Sequence, residues 1–187
     1  MKKIVLAISG ASATSLALKF LQESKKTLEC YVILSESAKI VAQKERGEDL
    51  EGCIESMGIK VYQESEIWAG VASGSFGVSA MAIIPTSMNT LAKIAYGIGD
   101  DLITRCASVM LKERKTLLLA PREMPFSPIA LENMSKLATL GVIIAPPILG
   151  YYSGGESLEE MEDFLVGKWL DVLGVENTLY TRWRDEK

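Results

Sequence analysis

The sequence predicts a doubly wound α/β domain with a mainly parallel sheet, of the Rossmann or flavodoxin kind, as a single domain over residues 1–187. Two observations lead to this prediction. Short apolar runs alternate with helical patterns along the whole chain, with no internal repeat and no low-complexity linker. Most of these runs are continuous stretches of Val, Ile, Leu and Ala, as expected for strands buried on both faces of a parallel sheet.

Six runs have the length and composition of strands, and each is followed by small, polar or turn-forming residues. The first breaks at Gly10, for example, and the fifth is followed by two prolines, Pro121 and Pro125. The predicted strands are residues 3–8, 30–34, 59–62, 81–84, 116–120 and 142–145.

Helices are predicted between these strands and after the last one. The final helix has the clearest ends, because it opens with the capping box Ser157-Leu158-Glu159-Glu160 and stops at Gly174. The predicted helices are residues 12–23, 35–44, 48–57, 86–96, 101–112, 129–140 and 157–173.

Composition excludes several classes of protein. A chain of 187 residues that is 48% hydrophobic can bury a sizeable core and is not disordered. With a net charge of −4 and only local basic clusters at residues 44–46 and 112–115, a nucleic-acid groove is disfavoured. The apolar run after Lys3 is too short for a signal peptide, and no run approaches the ~20 residues of a membrane helix. We therefore expect a soluble, cytoplasmic protein.

The cysteine and histidine content narrows the chemistry. Cys30, Cys53 and Cys106 are far apart and form no C-x-x-C pair, which argues against a disulfide framework and a zinc site. We interpret them as core residues. The chain has no histidine, so Ser-His-Asp and Cys-His catalysis are excluded. Acid and base roles must fall to Glu, Asp, Lys, Tyr or Ser.

Five loops that follow strands are rich in small, hydroxyl and charged residues. In a parallel sheet such loops emerge at one edge, where ligands bind. Their convergence is a stronger indication of a site than any single loop. The loops are residues 9–12, 35–37, 85–90, 121–125 and 146–156.

Two of these loops open helices and are suited to anion or flavin binding. The turn Ser9-Gly10-Ala11-Ser12 lacks the later glycines of G-x-G-x-x-G and the lysine of a P-loop, so a plain helix cap is an equal alternative. In the second loop, which follows Pro85, capping accounts for one polar residue but hardly for four, so a ligand site is favoured. These four residues are Thr86, Ser87, Asn89 and Thr90.

The turn Pro121-Arg122-Glu123-Met124-Pro125 places a cation and a carboxylate on a rigid segment at a strand end. That arrangement is suited to phosphate binding and proton transfer, and the alternative is a solvated surface ion pair. Arg105 and Lys112 lie two turns apart on one helical face and could approach one phosphate, although helical cations are usually solvated.

Three further features have both functional and structural explanations. The loop 72–77 is long enough to be functional or simply mobile. Trp68 is either an aromatic wall for a ligand or a subunit contact. Tyr151 and Tyr152, before Ser153-Gly154-Gly155, resemble a hinged loop carrying a phenol hydroxyl, or they fill an interface.

Taken in order, these stretches resemble the UbiX-type flavin prenyltransferases, enzymes that build prenylated FMN for partner decarboxylases. The resemblance covers nearly the whole chain. It rests on residues 8–12, 72–75, 85–90, 111–114, 121–123 and 132–134 and on the final Arg182-Trp183.

The resemblance implies roles for particular residues. FMN contacts are implied at Gly10, Ala11, Ser12, Ser35, Ser87, Met88, Asn89, Thr90 and Arg122. Contacts to the allylic phosphate are implied at Arg105, Lys112, Arg122, Glu123, Tyr152 and Lys168, with Trp68, Ser73, Gly74 and Ser75 near the prenyl group. The implied catalytic residues are Ser12, Glu45 and Glu123.

The implied reaction joins the dimethylallyl group of dimethylallyl monophosphate to N5 and C6 of reduced FMN. Its leaving phosphate needs a cluster of cations, which makes a metal unnecessary. Glu45 with Ser12 would take the proton lost from C6, and Glu123 would handle a proton on the phosphate. The resemblance also implies a homo-oligomer, commonly a dodecamer, with sites at subunit junctions, contacts through residues 157–187, and a UbiD-type decarboxylase as acceptor of the product.

Two residues depart from the pattern that the family commonly shows. Ala13 stands where a glycine is common, and it should be tolerated if its φ stays negative. Lys168 stands where an arginine is common, which keeps the charge but loses the bidentate fork.

Three alternative functions are less well supported. A flavin-dependent cysteine decarboxylase uses a catalytic histidine, which this chain lacks. A flavodoxin-like electron carrier would not need Arg105, Lys112 and Lys168 around a second phosphate. A plain nucleotide-binding module is disfavoured by the resemblance.

Overall fold

One parallel sheet organises the chain. A computed structural model describes residues 2–151, 155 and 157–182. The strands are β1 (Lys3–Ile8), β2 (Glu29–Leu34), β3 (Val61–Gln63), β4 (Val78–Thr86), β5 (Thr116–Pro121) and β6 (Ile143–Ile144). They lie in the order β3-β2-β1-β4-β5-β6, and every neighbouring pair is parallel. The predicted fold class is confirmed.

Helices cover both faces of this sheet. They are α1 (Thr14–Ser24), α2 (Glu36–Arg46), α3 (Leu50–Ser56), α4 (Met88–Ala95), α5 (Leu102–Lys112), α6 (Pro128–Thr139) and α7 (Leu158–Val172). The predicted capping box at Ser157 is present, with the Glu160 N–H donating to Ser157 Oγ at 3.2 Å. None of the helices in the described residues is long and apolar enough to cross a membrane.

Alternate residues of the strands build two hydrophobic cores. Along β1, Leu6 joins the core beneath α1, α2, α3 and α7, whereas Ala7 joins the core beneath α4, α5 and α6. Both faces are buried, which explains why β1 reads as a continuous apolar run. The same arrangement separates the helices around the site, because α1 and α7 lie on one face and α5 lies on the other.

The cysteines are free thiols. Cys106 is a buried residue of the core beneath α5, and burial raises its pKa to about 12. Cys30 packs against the other core, and burial raises its pKa to about 11. Cys106 is a core residue, as predicted, whereas Cys30 and Cys53 are only partly buried.

The segment before β4 differs from the single long loop that the sequence suggested. It forms two short 3-10 turns, Gly70–Ala72 and Gly74–Phe76. Gly74 lies so close to Glu113, just after α5, that an added Cβ would sit 2.6 Å from Glu113 Oε1. Because Gly74 precedes β4, this contact lies at the amino edge of the sheet.

The chain after α7 folds back along that helix. The Asp171 carboxylate accepts hydrogen bonds from both Nη atoms of Arg182, each at 2.7 Å, from Asn177 Nδ2 at 2.9 Å and from the Tyr180 hydroxyl. These hydrogen bonds, led by that of Arg182, lower the pKa of Asp171 to about 2. Asp171 therefore fastens the described end of the tail, while Trp183 lies outside the described residues.

Candidate functional site

The strand order places the candidate site at the carboxyl edge of the sheet. The connections run to one side from β1 through β2 and β3, and to the other side from β4 through β5 and β6. Ligands of doubly wound folds bind outside the carboxyl ends at this reversal. The turn after β1, Ser35 after β2, the loop after β4 and the Arg122-Glu123 turn after β5 all lie at this edge.

The turn after β1 needs its glycine because it lies against α2. An added Cβ at Gly10 would sit 2.3 Å from the Ser37 Cβ. The residue that caps α1 is Ala13 rather than Ser12, and it makes no side-chain cap. The Ser12 hydroxyl has no hydrogen-bond partner among the described residues, so capping does not occupy it.

Ala13 connects this turn to Glu45. Its φ of 76° and ψ of 42° lie in the left-handed region, so the condition of a negative φ is not met. The Ala13 N–H donates to Glu45 Oε2 at 3.4 Å. The structure thus places the Glu45 carboxylate, which comes from the last turn of α2, beside the first turn of α1.

Ala13→Gly is expected to stabilise the fold. An L residue in the left-handed region costs about 1–2 kcal/mol, and glycine removes this strain. The greater freedom of glycine in the unfolded chain offsets about 0.4–1 kcal/mol of the gain. We expect the free energy of unfolding, measured in urea, to rise by about 1 kcal/mol. The matched change Ala92→Gly, within α4, should lower it by about 0.5–1 kcal/mol. An equal loss in both variants would contradict the strain at Ala13.

The side chains of Ser35, which caps α2, and of Glu64, which follows β3, both bond to the first turn of α2. Ser35 is buried, and its Oγ accepts from the Ala38 N–H at 3.0 Å. The Glu36 N–H donates to Glu64 Oε1 at 3.0 Å. A carboxylate therefore already lies at this helix N-terminus, where it opposes the binding of a second anion.

The N-terminus of α4 has no such carboxylate. Ser87 Oγ accepts from the Thr90 N–H at 3.2 Å and lies 3.0 Å from Thr90 Oγ1. Among the described residues, the Met88 and Asn89 N–H groups have no acceptor, and the Asn89 side chain is exposed. Unpaired N–H groups at a helix N-terminus favour an anion.

Arg122 and Glu123 line a cleft beside the turn after β1. Its volume is about 630 Å³, within the range of small-molecule sites. No ion pair among the described residues includes Arg122, so the surface ion pair is not observed. Glu123 Oε1 accepts from the Met124 N–H at 3.0 Å. The lining residues are Ala13, Leu16, Pro121, Arg122, Glu123, Met124, Pro125, Phe126, Pro146, Pro147, Ile148, Leu149, Leu158, Glu162 and Leu165.

A second group of predicted residues lies at the opposite edge of the sheet. The Ser73 and Ser75 hydroxyls are 2.8 Å apart in the turn beside Glu113. Lys112, at the end of α5, pairs with Glu113 Oε1 at 3.2 Å. A single chain therefore does not bring Lys112 and this turn to Arg122.

Three other predicted residues, Arg105, Trp68 and Lys168, do not line the cleft. Arg105 is exposed on α5, on the face opposite α1 and α7. Trp68 is 78% exposed, and Lys168 is exposed on α7 without lining the cleft. Tyr152 lies outside the described residues.

Two hydroxyls at this edge, those of Ser9 and Thr86, are buried, at 1% and 0% exposure. The interpretation of Thr86 as a ligand-binding group was wrong, because its hydroxyl is occupied by the Ile83 carbonyl and the Ala120 N–H, and the role of the Ser9 hydroxyl was missed. Both side chains bond to backbone atoms near the ends of β4 and β5. Pro85, which precedes Thr86 and accepts from the Ser9 hydroxyl, was the available signal. A proline cannot donate to a strand ladder, so neighbouring groups must replace the missing hydrogen bond.

Comparison with known proteins shows the family of this chain. The model of the Flavoprotein family matches residues 1–169. A flavin prenyltransferase UbiX from Helicobacter pylori strain J99 is 52% identical over 183 residues, which cover 97% of this chain and 98% of that protein. The chain belongs to the UbiX flavin prenyltransferase family. The resemblance noted from the motifs is confirmed.

Solved UbiX structures share the whole fold. That of AnUbiX (PadA1) in complex with FMN and dimethylallyl pyrophosphate has a TM-score of 0.94 and 34% identity, covering 100% of this chain and 99% of that one. A dodecameric FMN-dependent UbiX-like decarboxylase from Escherichia coli O157:H7 has a TM-score of 0.92 and 33% identity, covering 97% and 99%. The UbiX fold thus spans the entire chain.

Proposed function

We propose that this chain is a flavin prenyltransferase that transfers the dimethylallyl group of dimethylallyl monophosphate to N5 and C6 of reduced FMN, producing prenylated FMN. The observation that carries the proposal is Arg122, an exposed cation without an ion-pair partner among the described residues, in a cleft beside the turn after β1. Membership of the UbiX family supports it, as does the binding of FMN and dimethylallyl pyrophosphate by AnUbiX.

The residues at the carboxyl edge fit FMN. Carboxylates already face the N-termini of α1 and α2, from Glu45 and Glu64. We therefore assign the FMN phosphate to the N-terminus of α4, where the Met88 and Asn89 N–H groups are unpaired among the described residues. Gly10, Ala11, Ser12, Ser35 and Arg122 would hold the rest of the flavin. When bound, reduced FMN supplies the nucleophile.

Arg122 and Glu123 would bind the phosphate of the allylic donor. The guanidinium can donate two parallel hydrogen bonds to phosphate oxygens, and it stabilises negative charge as the phosphate departs. Glu123 would hold a proton on the phosphate. Much of the cleft wall is apolar, from Phe126, Ile148 and Leu149 among others, so it can accept the dimethylallyl chain and exclude water.

Ser12 and Glu45 would handle the proton that leaves during ring closure. Glu45 Oε2 is fixed by the Ala13 N–H at 3.4 Å, one residue along from Ser12. The Ser12 hydroxyl has no partner among the described residues and can relay a proton to this carboxylate. The side-chain cations supply the charge stabilisation that a metal would otherwise provide.

The remaining site residues would come from other copies of the chain in a homo-oligomer, with a dodecamer as the expected state. The UbiX-like neighbour from E. coli O157:H7 is dodecameric. Because α5 lies on the face opposite the cleft, Arg105 and Lys112 can reach a donor phosphate only from a neighbouring copy. We assign the same origin to Ser73, Gly74, Ser75, Trp68, Lys168 and Tyr152, and oligomer contacts to residues 157–187.

We also propose a cytoplasmic location and a UbiD-type decarboxylase as the acceptor of prenylated FMN. The three free cysteines support a reducing compartment. The acceptor follows from the proposed product, since a modified flavin is useful only to an enzyme that binds it.

The decisive assay incubates the protein with reduced FMN and dimethylallyl monophosphate without oxygen and determines the mass of the flavin product. We expect prenylated FMN, formed equally well with a metal chelator present. Unmodified flavin on a protein fully loaded with FMN would reject the transferase and favour an electron carrier. A parallel reaction with dimethylallyl diphosphate measures the donor preference.

A further inference from the structure

The ladder of β4 is interrupted where the candidate site begins. The pairing of β4 with β5 shifts register between Ile83 and Thr86, and Thr86 then pairs with Pro121. The last β1 partner on β4 is Ile83, which faces Ala7. Pro85 lies within the interruption and has no N–H to donate. At the ends of these strands one backbone bond still joins β1 to β4, from the Ser9 N–H to the Pro85 carbonyl at 3.3 Å, and buried side-chain hydroxyls supply further bonds.

Thr86 joins β4 to β5. Its hydroxyl donates to the Ile83 carbonyl at 2.7 Å and accepts from the Ala120 N–H at 3.1 Å. Its own carbonyl accepts from the Arg122 N–H at 3.2 Å. Since the Thr86 side chain is fully buried, water cannot replace these bonds. One residue thus holds the backbone on both sides of Pro121.

Ser9 joins β1 to the start of α4. Its hydroxyl donates to the Pro85 carbonyl at 3.0 Å and accepts from the Ser87 N–H at 2.8 Å. It is also buried, at 1% exposure. Ser9 therefore fixes the α4 N-terminus relative to the turn after β1, whereas Thr86 fixes the backbone of Arg122.

We propose that Thr86 is a positioning residue for Arg122 and that Ser9 is a positioning residue for the phosphate end of FMN. The inference rests on the proposed function, because it assigns Arg122 to the donor phosphate and α4 to the FMN phosphate. The two hydroxyls divide the site: each holds one anion-binding element through backbone bonds, and neither touches a ligand.

Conservative variants separate these roles from simple packing. Thr86→Val keeps the shape of the side chain but leaves the Ala120 N–H without its acceptor, whereas Thr86→Ser keeps the hydroxyl. Ser9→Ala removes the acceptor of the Ser87 N–H. The matched control is Thr139→Val. The Thr139 hydroxyl donates to the Lys136 carbonyl at an exposed position of α6.

The experiment has one arm without ligand and one with substrates. In the ligand-free protein, hydrogen exchange of residues 116–126 should become at least about tenfold faster in Thr86→Val than in Thr86→Ser or Thr139→Val. At saturating FMN, Thr86→Val should lower kcat/KM for dimethylallyl monophosphate at least about tenfold and Thr86→Ser less than about threefold. Ser9→Ala should instead raise the Kd of FMN about tenfold.

Three results would overturn the inference. Equal effects of Thr86→Val and Ser9→Ala on both FMN affinity and kcat/KM would make these general structural residues. Unchanged hydrogen exchange of residues 116–126 in Thr86→Val would also contradict the inference. So would equal exchange and equal kcat/KM in Thr86→Val and Thr86→Ser. If Thr86→Val does not fold, Ser9→Ala still tests the role assigned to Ser9. A wild-type protein that forms no prenylated FMN would reject the proposed function, while the exchange and FMN-affinity arms would still decide the positioning roles.

Discussion

Arg122→Met is expected to lower the turnover of dimethylallyl monophosphate at least about a hundredfold. Loss of one preorganised donor to developing negative charge typically costs about 10²–10³ in rate. Arg122 has no carboxylate partner among the described residues, so its full charge is directed to a ligand rather than shared with a neighbour. Turnover should be measured anaerobically at saturating FMN by mass spectrometry of the flavin product.

Two variants make this result interpretable. Arg122→Lys keeps the charge but loses the bidentate fork, so its activity should fall between those of the wild type and Arg122→Met. Lys136→Met removes one positive charge from α6, where Lys136 lies over the Tyr96 ring, and should retain full activity. Wild-type turnover in Arg122→Met would show that the donor phosphate is bound elsewhere.

Most of the fold could be predicted because buried parallel strands leave a strong signal. The predicted 3–8 strand coincides with β1, in which residues on both faces are apolar. The centre of β4 was also found, but the strand extends to Val78 and Thr86 because main-chain pairing continues past Ser79 and Pro85. Hydrophobic runs report burial, whereas strand ends depend on hydrogen bonds that composition does not record.

The local parts of the candidate site were less predictable than its location. Strand-end position is enough to place Ser35, Ser87 and Arg122 at one edge of the sheet. The positive φ of Ala13 is different, because alanine itself gives no sign of it and only the glycine common at this position in the family draws attention to the turn. The contact between Ala13 and Glu45 joins residues of two helices and depends on tertiary packing.

Residue spacing along one helix was the least reliable guide to which residues share the site. The separation of Arg105 and Lys112 places them along one side of α5, and that relation holds. It cannot tell which face of the sheet α5 covers, and the structure shows the face opposite the cleft. A site completed by other copies is therefore beyond a prediction that considers one chain, unless a resemblance supplies the assembly.

The second large effect concerns Glu45. Glu45→Gln should slow ring closure by about 10²–10⁴, the usual contribution of a general base, because the amide cannot accept the proton. FMN binding should remain nearly intact, since Gln retains an oxygen that can accept from the Ala13 N–H. Anaerobic stopped-flow absorbance gives the rate, and a titration with FMN gives the Kd. The matched control Glu55→Gln makes the same charge change at an exposed position of α3 and should alter neither quantity. A parallel loss of FMN affinity and rate in Glu45→Gln would make Glu45 a structural support of the turn, because a base acting only on the reacting proton has no reason to change the affinity for the flavin.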